Sequence, residues 1–199
     1  LVAPDLNDPI VDTAHAIAEV DRAVDFILKD RAIQQLSLIG YSWGSAICGR
    51  DAGEFESKVS RLVLSGALWV EKGATPRTIS ADIGAYRTVD AGSMAKRWAT
   101  GLSGDEIDAI VPPARVSRWC SDTVLVDPIG DKSGLLRAPT GVLKDFMNYS
   151  HTGEPWYKPR EILAPTQVVV GELDKETTPE QARKVFEQLG NAHEKRLTI

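Results

Sequence analysis

The chain has 199 residues, 43% hydrophobic and 26% charged, the composition of an ordinary globular protein of one domain or slightly more. Its 23 Lys and Arg stand against 28 Asp and Glu, a net charge of −5 with no basic cluster to offset it, which argues against a nucleic-acid partner. No apolar run reaches the ~18 residues that span a bilayer, and two cysteines, Cys48 and Cys120, make no disulfide framework, so two buried thiols are expected.

Leu1 to Leu6 reads as a strand already under way, and Lys195 to Ile199 as a strand just beginning, so both ends read as cuts through a larger fold. After Pro9, the residues Ile10, Ala14, Ile17, Val20, Val24 and Ile27 recur at spacings of three and four, one apolar stripe on a helix. Leu36–Ile39 is a short apolar run ended by Gly40, the pattern of a buried strand. A small-residue helix is expected from Trp43 to about Gly53, then a strand over Val59–Leu64. Thr166–Val170 is the next strand, ended by Gly171. Thr178, Pro179 and Gln181 then open a helix with an N-cap, a proline at its first position and a capping box. Ala182, Val185, Phe186 and Leu189 form its apolar face. Between residues 70 and 160 this alternation stops: Pro112-Pro113 and several glycines break the chain, and Met94–Leu102, Asp105–Ile110 and Val142–Met147 are helical patches. Strands alternating with helices imply an α/β fold, a mostly parallel sheet with helices on both faces. The expected organisation is a core formed by residues 1–69 and 161–199, with a helical cap inserted over 70–160.

One motif carries chemistry. Gly40-Tyr41-Ser42-Trp43-Gly44 is G-x-S-x-G, weak as a bare pattern but placed where a strand ends and a helix begins, the setting of a nucleophile elbow. The crowded turn needs small residues two before and two after the serine, and both are Gly. Ser42 is the candidate nucleophile, and the Trp43 backbone N–H, first in the helix, a candidate oxyanion donor; a glycine-rich turn with an incidental serine is the alternative.

A serine nucleophile needs a base, usually His oriented by a carboxylate. Asp174, in Gly171-Glu172-Leu173-Asp174 after a parallel strand, would share the carboxyl edge of the sheet with Ser42. Glu172 and Asp5 are alternatives, and capping the following loop is the other role open to Asp174. None of the three histidines suits the base. His15 lies off the inward stripe of the first helix, and His193 precedes a strand and so belongs to the other edge. His151 alone comes from the cap side and is the one rival. The order Ser…Asp…His places the base beyond Ile199.

These motifs resemble the α/β-hydrolase superfamily, in particular its capped serine esterase and proline-iminopeptidase-like branch. The resemblance runs nearly the whole chain: Leu1–Leu6 as the strand before a Gly-rich loop, Leu36–Gly44 as strand and elbow, Lys58–Leu64 as the next strand, and Ile162–Asp174 as the approach to the acid. It departs where Asn7-Asp8-Pro9 stands in place of the Gly-rich loop, and where the early strands with the second oxyanion donor and the histidine are missing; the chain resembles a truncated or incompletely given member. Epoxide hydrolases and dehalogenases carry Asp at the elbow where this chain has Ser42, so the resemblance implies a serine hydrolase cleaving a carboxylic ester or related acyl bond through an acyl-enzyme. A peptidase or amidase of the iminopeptidase kind, suggested by Ser42-Trp43-Gly44-Ser45, and a non-catalytic ligand-binding protein on the same scaffold are the alternatives.

The substrate expected is a small, hydrophobic acyl compound, with Tyr41, Trp69 and Trp156 as candidate contacts; packing within the cap is the other role open to such aromatics. No Cys/His spacing marks a metal site, no cofactor is implied, and no Lys/Arg constellation marks a phosphate site, which disfavours coenzyme A thioesters. Oligomeric state is left open, and so is compartment, with the cytoplasm favoured.

Overall fold

The computed structural model describes residues 3, 7–69, 71–73 and 83–199. The strand expected over Leu1–Leu6, apart from Ala3, and the alternative acid Asp5 lie outside the described residues. In chain order the elements are α1 (Thr13–Arg31), β1 (Leu36–Tyr41), α2 (Trp43–Glu54) and β2 (Val59–Ser65). Then come β3 (Tyr86–Asp90), α3 (Ala91–Trp98), α4 (Gly104–Ile110), α5 (Pro113–Leu125), α6 (Gly130–Ser133) and β4 (Leu135–Pro139). α7 (Gly141–Thr152), β5 (Thr166–Val169), α8 (Pro179–Gln188) and β6 (Lys195–Thr198) complete the chain. Among the described residues no helix is long and apolar enough to cross a membrane. The chain forms two compact units, residues 11–78 with 142–199, and residues 1–10 with 79–141.

The larger unit is an α/β fold around a parallel sheet of order β1-β2-β5-β6. Its register aligns the carboxyl ends in one row: Tyr41 pairs with Ser65, Ser65 with Val169, and Val169 with Thr198. Loops leaving these strands therefore emerge at one edge, where parallel sheets place ligands. Leu62, Leu64, Ile162, Val168, Val185 and Leu189 are at most 1% exposed and form the core, each burial contributing roughly 1.5–3 kcal/mol. Trp156 and Tyr157 belong to the same cluster.

Three expectations about this unit are corrected. The first helix begins at Thr13, because Asp12 accepts a hydrogen bond from the His15 N–H at 2.9 Å and caps it; Ile10 precedes it, and only Ile17 and Val24 of the expected stripe are fully buried. Among the described residues β1 pairs with β2 alone, and Ile39, expected within a buried strand, is 73% exposed. The capping box expected on α8 is half formed: the Gln181 N–H bonds the Thr178 hydroxyl, but the buried Gln181 Oε1 has no partner among the described residues.

The smaller unit packs α3 and α5 around Met94, Val116, Cys120 and Val124. It also holds an antiparallel ribbon of β3 with β4, Tyr86 facing Pro139 and Asp90 facing Leu135, where a helical cap without named strands was expected. Arg137 on β4 grips the Asp127 carboxylate with Nε at 2.9 Å and Nη2 at 2.7 Å, tying the ribbon to the turn after α5. The inserted unit ends near residue 141 rather than 160, because Phe146 and Tyr149 of α7 pack on Trp156, with ring centroids 4.7 and 4.9 Å away. Both cysteines are buried and free, as expected.

Candidate active site

Ser42 stands between β1 and α2 with φ 52° and ψ −119°, a left-handed setting that costs a non-glycine residue about 1–3 kcal/mol. The surroundings enforce it. The Ser42 N–H donates to the Ser65 carbonyl at 2.9 Å, which ends the β1–β2 ladder, and α2 begins at the next residue. A Cβ on Gly40 would lie 2.3 Å from the Gly44 carbonyl oxygen and 2.8 Å from the Ser45 Cα, so the strand can meet the helix this closely only through glycine. The Ser45 hydroxyl donates to the Ser42 carbonyl and accepts the Leu68 N–H at 2.9 Å, pinning the turn from the other side.

At the N-terminus of α2 the Trp43 N–H has no acceptor among the described residues; such free donors carry the positive end of the helix dipole. The Trp43 side chain turns away from this function. Its indole Nε1 donates to the Thr13 hydroxyl at 3.0 Å, the Thr13 hydroxyl donates to Asp145, and the Thr13 N–H donates to the same carboxylate oxygen at 2.6 Å. This link between α1, α2 and α7 fixes the first turn behind the elbow. Sequence reasoning did not find it, and the only signal was a threonine at the start of α1.

Asp174 sits half-buried in the loop after β5. One carboxylate oxygen accepts the N–H groups of Glu176 and Thr177 at 2.8 and 2.9 Å, and the other accepts the Thr177 hydroxyl at 2.8 Å. Thr177 lies against Gly66, directly after β2, where a Cβ would come within 2.7 Å of its hydroxyl and 3.7 Å of the Tyr41 ring. Ser42, Gly66 and Asp174 thus occupy the same edge of the sheet. Glu172 is exposed. The sequence offered Asp174 as nucleophile partner or loop cap; the structure shows the cap, whose signal was a threonine three residues on.

All three histidines are exposed. His15 bonds Asp12 through Nδ1 at 2.7 Å, His151 lies in the last turn of α7, and His193 precedes β6 with its N–H on the Leu163 carbonyl at 2.9 Å. None of their rings is hydrogen-bonded to Ser42 or Asp174. Tyr41 is 73% exposed beside the elbow. Trp69 is half-buried, edge-on to Tyr157 with centroids 6.1 Å apart. Trp156, expected to touch substrate, is instead 3% exposed within the core and lines a cavity beside Gly49 and Gly53, in the second half of α2. At 1.5 Å per residue this is roughly 10–16 Å along the helix from Ser42.

A parallel sheet, a strained serine between strand and helix, and an acid loop on the same edge define a hydrolase-type α/β scaffold. The chain belongs to the alpha/beta hydrolase fold family, whose model matches residues 7–199. Its structure is similar to a monoacylglycerol lipase from Paleococcus ferrophilus (TM-score 0.55, 21% identity, 94% of this chain and 65% of that one). It is also similar to a hydrolase from Pseudomonas aeruginosa (TM-score 0.58, 15% identity, 96% and 65%) and to the thioesterase domain from the curacin biosynthetic pathway (0.53, 17%, 95% and 66%). The chain therefore spans about 65% of the length of the first two. No curated protein matches it.

Proposed function

We propose that this protein is a serine hydrolase that cleaves a carboxylic ester or related acyl bond of a small, hydrophobic substrate. The Ser42 oxygen attacks the carbonyl carbon, the Trp43 N–H takes up charge developing on the carbonyl oxygen, and the carbon–oxygen bond to the alcohol breaks as the alcohol leaves with a proton. Water then hydrolyses the acyl-enzyme. Asp174 orients a histidine that acts as base. The observation that carries the proposal is Ser42 itself, held at φ 52° and ψ −119° between Gly40 and Gly44 with α2 starting behind it. Nothing about packing requires a serine in that strained position. In the full-length protein Ser42→Ala is expected to lower ester turnover by roughly four to six orders of magnitude with little change in stability. More than a tenth of the activity surviving in that variant would end the proposal.

One observation favours the non-catalytic alternative: three local donors already occupy the Asp174 carboxylate. A protein that binds substrate esters but neither turns them over nor reacts at Ser42 would support that reading.

A further inference from the structure

The Trp43 N–H can stabilise charge developing on a substrate's carbonyl oxygen only if its direction is fixed before the substrate arrives. That N–H bonds nothing itself among the described residues, so its direction is set by whatever holds the rest of the Ser42–Trp43 peptide. The peptide is planar, and the structure holds it at both ends. At the oxygen end, the Ser42 carbonyl accepts the Ser45 N–H at 2.9 Å and the Ser45 hydroxyl at 2.5 Å. At the nitrogen end the hold runs through the Trp43 side chain. The indole Nε1 donates to the Thr13 hydroxyl at 3.0 Å, and that hydroxyl donates in turn to the Asp145 carboxylate. Asp145 is itself seated by the Thr13 N–H at 2.6 Å, at the start of α1, where the positive end of a helix favours a carboxylate. Thr13 is 1% exposed, so water does not reach the middle of the chain of bonds. A chain that ends on a charged acceptor is stronger than its neutral equivalent, each bond polarising the one before it.

We propose that Thr13 and Asp145 are positioning residues for the reaction: acting through the Trp43 indole, they hold the Trp43 N–H aimed at the developing oxyanion. The assignment rests on the serine-hydrolase reading of Ser42. It differs from a brace between α1, α2 and α7. Cutting a brace lowers stability and leaves the turnover of each folded molecule unchanged. Cutting a positioning link lowers kcat and leaves binding of the ground-state ester unchanged.

The test measures kcat and KM of the full-length protein with p-nitrophenyl butyrate, beside the melting temperature and the rate of Ser42 labelling by a fluorophosphonate. Thr13→Val keeps the shape and removes the hydroxyl. Trp43→Phe removes the donor and leaves Thr13 bonded to Asp145, so it carries the test if Thr13→Val does not fold. Each is expected to lower kcat and the labelling rate about tenfold, with KM within about twofold, as small misplacements of a reacting group do. Thr13→Ser, which restores the hydroxyl, should recover at least about half of the parent kcat. The double variant should be no slower than about twofold below either single one, because both cut the same chain. An active parent whose Thr13→Val and Trp43→Phe variants keep its kcat, a loss confined to KM, or Thr13→Ser as slow as Thr13→Val would each overturn this assignment alone. A parent that neither turns over the ester nor takes the label would end the serine-hydrolase reading, and this assignment with it.

Discussion

Asp51 is the most exposed to test of the buried groups. It lies on α2 with 0% of its surface exposed, and neither carboxylate oxygen has a hydrogen-bond partner among the described residues. Burial pushes its carboxyl up to about 6 from the ordinary 3.8, Asp21 adds to this, Lys58 opposes it, and Glu54 and Asp25 add a little more. The sign follows from linkage: the folded state holds this proton more tightly than the unfolded chain. The group therefore imposes no penalty below pH ~4, and stability falls as the pH rises from there through about 6. Two units correspond to about 3 kcal/mol at most, at 1.36 kcal/mol per unit. Asp51→Asn cannot ionise and keeps the shape. It is expected to match the parent near pH 4 and to exceed it by about 1–3 kcal/mol at pH 8. Urea unfolding of both proteins at a series of pH values reads this directly, because other titrating groups cancel in the difference. A difference that stays flat from pH 4 to 8, or an asparagine variant less stable at pH 8, would refute the account of Asp51 as an unpaired buried acid.

Gly40→Ala is expected to disrupt the elbow, since its Cβ would sit 2.3 Å from the Gly44 carbonyl oxygen; soluble yield, melting temperature and serine reactivity should fall together, and an unperturbed variant would contradict the packing. Gly49→Ala drives a methyl to 2.6 Å from the Tyr157 ring and should lower stability by about 1–3 kcal/mol in denaturant unfolding, whereas a gain would mean the ring moves freely. Trp43→Phe removes the donor to Thr13 at 3.0 Å and should destabilise by about 1 kcal/mol, with no change if the indole bond is unimportant.

Much of the larger unit is legible in the sequence because local signals and tertiary needs coincide. Gly40 and Gly44 around Ser42 mark a turn that nothing larger could make, and Thr178-Pro179 starts α8 where a cap and a first-position proline should stand. The ribbon was not legible: Tyr86–Asp90 and Leu135–Pro139 are short, carry two arginines between them, and exist as strands because they pair with each other across the segment that holds α3 to α6. The boundary at residue 141 was missed for a related reason. Val142–Thr152 has the same helical periodicity as α3 and α5, and only contact with Trp156 shows which core it joins. At the site, the elbow was legible as backbone geometry, while the Trp43–Thr13–Asp145 link joins residues 132 apart in sequence and left no local pattern.

The central claim is that Ser42 is a reactive nucleophile. Incubating the full-length protein with a fluorophosphonate and mapping the adduct by peptide mass spectrometry tests it most directly. The account expects one covalent adduct per chain, on Ser42, absent in Ser42→Ala and suppressed by a hydrolysable ester. No adduct on a correctly folded protein, or an adduct on another serine that persists in Ser42→Ala, would contradict it.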